Sequence, residues 1–205
     1  MIFAQQNKLA IGIEGGPGLI HFRSNSSMWF NHRTMGYAGA LTVQYNLNKV
    51  FALRTGLGLY RKGSQTDDIT ITDDAGKILG VTQFNYYFDY ATLPVLLRAS
   101  IGKKVHYFVN AGAYFGYLTR VHFIAKESFG RPNISSGNEM SKYQHFDAGL
   151  ATGFGLELPI KNKLLLSLEL RNNTGLYNIY KTNPIYTLNT RSTNVLIGVA
   201  YRFGE

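Results

Sequence analysis

The stretch that decides the fold is His106-Tyr107-Phe108-Val109-Asn110-Ala111-Gly112-Ala113-Tyr114-Phe115-Gly116-Tyr117-Leu118. One face of this stretch carries mostly large apolar side chains and the other carries smaller or polar ones: Tyr107, Val109, Ala111, Ala113, Phe115 and Tyr117 oppose Asn110, Gly112, Tyr114 and Gly116. A period of two residues predicts a β-strand. A tilted strand of about ten residues has the length needed to cross a bilayer. The stretch is therefore predicted to be a membrane-crossing strand.

Seven further segments share this design, which predicts an eight-stranded structure. The predicted strands are residues 8–20, 35–45, 51–61, 87–100, 106–118, 145–158, 163–172 and 193–203. A soluble barrel would turn its apolar face inward and cover the other face with Lys, Glu and Thr rather than Gly. An eight-stranded barrel has an interior just wide enough for side chains, so the glycine-rich face fits the inside. The apolar face is predicted to contact lipid, including Leu41, Val43, Leu53, Leu57, Leu93, Val95, Leu97, Leu166, Leu168, Val195, Ile197 and Val199.

The connections between these segments alternate in length. Long polar segments follow the odd-numbered strands, at residues 21–34, 62–86, 119–144 and 173–192. Short turns follow the second, fourth and sixth strands, around residues 46–48, 102–104 and 159–162. Membrane barrels of bacteria have short periplasmic turns and long extracellular loops. The pattern predicts an all-β, antiparallel up-and-down transmembrane barrel with both termini in the periplasm of a Gram-negative bacterium.

Length and composition agree with a single barrel domain. The chain has 205 residues, so we expect one barrel domain over residues 8–205, preceded by a residual signal-peptide end or N-terminal tail at residues 1–7. The mean hydropathy is −0.10, and no continuous apolar run approaches the ~20 residues of a spanning helix. The net charge of +9 comes from basic residues scattered singly or in pairs, which fits lipid phosphates better than nucleic acid. The chain contains no Cys, which excludes disulfides and thiolate sites.

Charged residues also occur on the face that is predicted to line the interior. They are nearly balanced: Glu14, Asp147, Glu157 and Glu169 against Arg54, Arg98, Arg171 and Arg202. An unpaired charge in a narrow, partly dry lumen is costly, so these groups are expected to pair. We expect them to plug the lumen; a selective pore is the alternative. No catalytic, cofactor-binding or metal-binding set is predicted.

Four segments resemble the PorT-like outer membrane β-barrel family of Bacteroidota. They are residues 92–98 (TLPVLLR), 110–117 (NAGAYFGY), 146–155 (FDAGLATGFG) and 198–203 (GVAYRF). Thr92 departs from the family pattern, which has Glu at that position. The resemblance extends over about nine-tenths of the chain. It implies a barrel in the outer membrane, and some members of the family serve protein secretion or gliding machinery.

Three functions fit these observations. The first is a non-catalytic barrel whose outer loops bind a partner or lipopolysaccharide, with outer arginines on the lipid phosphates: Arg23, Arg33, Arg120, Arg131 and Arg191. The second is an accessory subunit of a secretion, assembly or gliding machine, docked on another outer-membrane protein. The third is a lipid-modifying enzyme that uses His145 with Asp147, or His122 with a loop serine. A soluble ligand-binding barrel such as a lipocalin is the structural rival.

Overall fold

The computed structural model describes residues 8–25, 32–66, 69–72, 74–127, 140–160, 163–182 and 185–203, and the expected signal remnant lies outside them. The described residues form nine strands: β1 (Leu9–Ser24), β2 (Thr34–Asn46), β3 (Phe51–Gln65), β4 (Ile69–Thr72), β5 (Ile78–Gly102), β6 (His106–Glu127), β7 (Phe146–Ile160), β8 (Leu164–Gly175) and β9 (Leu188–Phe203). A single 3₁₀ turn, Met140–Lys142, precedes β7. No helix in these ranges is long and apolar enough to cross a membrane.

Eight of the strands close into a barrel. Each pairs with its neighbours in the sequence, all antiparallel, and the circle is completed where β1 pairs with β9 and β3 pairs with β5. Leu9 lies opposite Phe203, so the two ends of the barrel sequence meet in one pair of strands. The short strand β4 pairs with β5 alone and extends the sheet beyond the barrel ring. The predicted eight-stranded up-and-down antiparallel barrel is confirmed.

Two of the three short turns form where the sequence predicts them, each with a local stabilising feature. The third was predicted at residues 159–162, but β7 continues to Ile160, and residues 161 and 162 lie outside the described residues. Between β2 and β3, the Asn48 side-chain oxygen accepts hydrogen bonds from the backbone N–H groups of Val50 and Phe51, both at 2.8 Å. Gly102 ends β5 with a φ of 136°, a conformation that favours glycine. A Cβ at this position would also lie 2.0 Å from the Val105 carbonyl oxygen. These turns hold neighbouring strands in register at one end of the barrel.

The long connections were predicted wrongly in extent. Strands β1, β3, β6 and β8 continue to Ser24, Gln65, Glu127 and Gly175. Most of predicted loop 62–86 is also strand, because it contains β4 and the first part of β5. The apolar alternation used for the prediction ends at the edge of the lipid, whereas backbone hydrogen bonding continues past it. Within predicted loop 62–86, residues 67, 68 and 73 lie outside the described residues, but Gly76 with a φ of 79° is in the turn that joins β4 and β5.

The outer face of the barrel is an apolar band. Of the twelve residues predicted to contact lipid, eleven are exposed and Leu166 is half-buried. In a soluble protein such a surface would be unusually large, because contiguous exposed apolar patches rarely exceed a few hundred Å². Toward the long-connection end, the last outward apolar residues include Leu19 on β1, Leu59 on β3 and Tyr117 on β6.

Candidate functional site

The interior of the barrel contains a charged network centred on Arg171 of β8. Its guanidinium donates to both oxygens of Glu14 on β1, at 2.6 and 3.1 Å, and to both oxygens of Glu169, at 2.8 and 2.7 Å. Tyr60 accepts a further hydrogen bond at 3.1 Å. Arg54 of β3 donates to Glu14 at 2.7 Å from the other side. The network therefore joins three strands that are far apart in sequence.

A second part of the network lies nearer the short turns and is centred on Glu157 of β7. Arg98 donates to one oxygen of Glu157 at 3.0 Å and to the Asn110 side-chain oxygen at 3.0 Å. Its guanidinium also stacks over the Phe108 ring at 3.7 Å. Arg202 approaches the other Glu157 oxygen at 3.5 Å and is partly exposed at the mouth of the barrel. Arg98 also lies 3.7 Å from Glu169, which connects the two parts.

A third cluster surrounds Lys62 of β3, which was not among the residues predicted to line the interior. The Lys62 ammonium donates to Asp147 at 2.7 Å and to Thr190 at 3.1 Å, and it lies 3.9 Å from the centre of the Tyr114 ring. Thr190 and Tyr114 donate to the same carboxylate oxygen, at 2.7 and 3.2 Å. Lys62 is buried because β3 continues past Arg61 and keeps its alternation, which turns Tyr60, Lys62 and Ser64 inward. The inward position of Lys62 is predicted when the two-residue period of β3 is extended beyond its apolar residues.

An apolar cluster closes the interior beyond Lys62, toward the long connections. Its buried members come from four strands and from the segments before β7 and after β8: Phe22, Phe88, Tyr90, Leu118, Val121, Tyr143, Ile179 and Leu188. The Phe88 ring packs edge-on against the rings of Phe22 and Tyr143, with centroids 4.9 and 4.7 Å apart. Tyr143 forms an isolated bridge with Tyr180, which ties the two segments together. Charged pairs therefore fill the middle of the barrel, and aromatic packing closes the end that carries the long connections.

The residues considered for catalysis are not assembled into a site. Asp147 is fully buried inside the barrel with Lys62, whereas His145 is exposed just before β7. His122 lies on the outer side of β6, with its Nδ1 4.0 Å from Asp89. Both oxygens of Asp89 accept from Arg61, at 2.7 and 2.9 Å, so this carboxylate is engaged in an ion pair. Among the described residues, no group of three or more His, Asp or Glu side chains is placed to hold a metal ion.

Comparison with known proteins gives one family match. A family model described as an outer membrane protein beta-barrel domain matches residues 3–181. No curated protein matches the chain.

The chain is also similar to several solved barrels at low identity. Neisserial surface protein A is 17% identical with a TM-score of 0.47, over 95% of this chain and 99% of that one. The outer membrane protein OprG from Pseudomonas aeruginosa is 11% identical with a TM-score of 0.46, over 96% of each chain. The outer membrane protease OmpT from Escherichia coli is 10% identical with a TM-score of 0.43, over 97% of this chain and 98% of that one.

Proposed function

Because the chain belongs to the family of outer membrane protein beta-barrel domains, we propose that it is a closed, non-catalytic barrel that acts through its outer surface. The family places it in the outer membrane of a Gram-negative bacterium. In the proposed orientation both termini and the short turns are periplasmic, and the long connections face the outside. Outer-leaflet lipid, lipopolysaccharide or another envelope protein would then be the partner.

The filled interior is the observation that carries this proposal. Arg98, Arg171 and Lys62 are almost completely buried, and each contacts carboxylates or side chains from other strands across the lumen. A conducting barrel of the porin type needs a continuous water-filled polar path through its interior. Here the ion pairs span the lumen and the Phe88 cluster covers its outer end. The arrangement favours a plug over a selective pore.

Conductance in planar lipid bilayers tests the plug. We expect the purified full-length barrel to show no stable open level. The double variant Phe88→Ala/Ile179→Ala, which empties part of the apolar cluster, should show brief openings more often. The matched double variant Leu176→Ala/Ile185→Ala removes exposed side chains at the same end and should behave like the wild type. A stable, large open level in the wild-type protein would refute the closed barrel.

The absence of catalysis is part of the proposal and is supported by where the candidate groups lie. A lipid-modifying site needs a base and a nucleophile together on the lipid-facing surface. The Asp147 carboxylate accepts a hydrogen bond from Lys62 inside the barrel, and the Asp89 carboxylate next to His122 forms an ion pair with Arg61. Neither Asp147 nor Asp89 is therefore free to orient the histidine nearest to it.

A PorT-like role in a secretion or gliding machine is the finer alternative. The clearest resemblance to that family lies in residues 92–98, which form part of β5. Leu93, Val95 and Leu97 are exposed on the lipid side, and Arg98 belongs to the interior network. These residues build the barrel wall and specify no docking partner. We therefore favour a barrel that binds partners through its outer surface without being a fixed subunit of a machine, and a stoichiometric partner retained in mild detergent would favour the subunit.

A further inference from the structure

A row of basic side chains crosses three neighbouring strands on the outside of the barrel. His21 of β1 pairs with Arg191 of β9. On the other side, Ile20 pairs with Thr34 of β2, so the preceding residue, Arg33, continues the row next to His21. Adjacent strands lie about 4.8 Å apart, so the backbone positions of Arg191 and Arg33 are about 10 Å apart with His21 between them. The three long or flexible side chains can converge on one small anion.

The alternation of each strand shows that this row faces outward. Ile20, Phe22, Thr190 and Ser192 are buried inside, whereas Arg33 and Arg191 are exposed and His21 is half-buried. Arg23, two residues beyond His21, is exposed on the same side and extends the basic surface away from the membrane. We refer to Arg191, His21, Arg33 and Arg23 as the basic row.

The basic row begins where the apolar band ends. The outward residues two positions nearer the membrane centre on β1 and β2 are Leu19 and Met35, both exposed. Val195 of β9 is exposed four positions from Arg191, with Thr193 between them. Acyl chains can pack on this apolar surface while a headgroup reaches the cations directly above it. The position is that of the polar headgroups at a membrane surface.

The charge of the basic row is uncompensated within the described part of the chain. No carboxylate there forms an ion pair with Arg23, Arg33 or Arg191. On β3, by contrast, Arg61, two residues beyond the exposed Leu59, is neutralised by Asp89. His21 lies beyond the apolar band, and its pKa is lowered because the ring is partly buried and because Arg191 and Arg33 repel a proton there. A bound anion would relieve this repulsion.

We infer that the basic row binds the phosphate group of a lipid in the outer leaflet. Guanidinium groups match the geometry of phosphate oxygens and can bind them through paired hydrogen bonds. The apolar surface below the row favours a phosphate that carries acyl chains over free phosphate. This inference deepens the proposed function and rests on its orientation, with the long connections at the outer surface.

Lipid binding to the full chain in zwitterionic detergent tests the inference, with native mass spectrometry as the readout. The probes are phosphatidic acid, whose headgroup is a phosphate monoester, and phosphatidylcholine. We expect phosphatidic acid to bind selectively, and the variant Arg33→Gln/Arg191→Gln to bind it at least about tenfold more weakly through loss of charge-assisted hydrogen bonds. The variant Lys104→Gln/Lys181→Gln removes the same charge from exposed positions outside the basic row and should retain wild-type binding.

Several outcomes would overturn the inference. They are unchanged binding in Arg33→Gln/Arg191→Gln, an equal loss in the control variant, equal binding of phosphatidylcholine, and displacement of phosphatidic acid by an equal concentration of inorganic phosphate. Heat-dependent gel migration of each variant checks that the barrel is folded. The lipid-binding assay in detergent is independent of the conductance assay. A conducting wild-type barrel would refute the plug without changing the lipid-binding result, and absence of selective lipid binding would leave the plug unaffected.

Discussion

At the scale of single residues, Arg171 is the side chain on which the interior depends most. It neutralises Glu14 and Glu169 at once, and all three are almost completely buried. A buried ion pair adds little stability compared with apolar packing, but removing one partner leaves an uncompensated charge and is costly. Loss of Arg171 would leave Glu14 with Arg54 at 2.7 Å, and it would leave Glu169 with Arg98 at the longer distance of 3.7 Å.

We therefore expect Arg171→Met to lower the free energy of unfolding by about 3–5 kcal/mol. Urea unfolding of the barrel in lipid vesicles, followed by the fraction that migrates as folded protein on unheated gels, measures this loss. Arg120→Met is the matched control, because Arg120 is exposed and a surface substitution usually changes stability by less than about 0.5 kcal/mol. Equal midpoints for the two variants would contradict a central role for Arg171.

The partners of these residues were harder to predict than the face on which they lie. Alternation along β1 and β8 is enough to assign Glu14 and Arg171 to the inward face. Their ion pair joins residues 157 positions apart, and it depends on how far the strands are tilted and shifted around the barrel. The burial of Lys62 was not predicted, because the predicted strand ends at Arg61, where the apolar alternation stops.

At the scale of the strands, small residues allow the tightly curved wall to form. A Cβ placed on Gly155 of β7 would lie 2.1 Å from the backbone oxygen of Leu168 and 2.7 Å from the Phe108 ring. On Gly39 of β2, the nearest atom within 4 Å would be the backbone oxygen of Glu14, at 3.9 Å. An alanine side chain would therefore overlap a backbone atom at position 155, whereas at position 39 it would have free space.

This contrast predicts different folding yields for two alanine variants. Gly155→Ala must displace β8 or the Phe108 ring, so we expect a lower yield of folded barrel and a loss of about 1–3 kcal/mol, the usual cost of overpacking. Gly39→Ala fits without displacement and should match the wild type. Refolding into vesicles at several temperatures measures both effects, and equal yields would show that the wall around Gly155 relaxes freely.

The lengths of the strands show how far sequence patterns can be followed. The segments in contact with lipid were found from their alternation, since the bilayer imposes an apolar residue at every second position. On the long-connection side of Asp89 in β5 and Thr119 in β6 that constraint ends, and the two strands continue to pair through their backbones with mixed side chains on both faces. The extension of β5 and β6 depends on pairing between strands, which no local pattern specifies.

At the scale of the whole molecule, closure explains why so polar a chain forms a stable barrel. Pairing of β1 with β9 and of β3 with β5 leaves the eight-stranded ring without an open edge, as required in a medium that cannot hydrogen bond to the backbone. Strand number and the alternation of long and short connections were predictable, because both recur along the sequence. The aromatic closure at the end with the long connections was not predictable, because Tyr143 and Ile179 come from segments predicted to be loops.

The orientation of the closed barrel gives the last prediction, which single cysteines can measure because the natural chain has none. Asp74 lies exposed in the turn between β4 and β5, and Lys103 lies exposed in the short turn between β5 and β6, at opposite ends of β5. With the long connections outside, a membrane-impermeant maleimide should label Asp74→Cys in intact cells. It should label Lys103→Cys only after the outer membrane is permeabilised. The cysteine-free parent controls for background, and the reverse pattern would invert the barrel and place the basic row at the periplasmic leaflet.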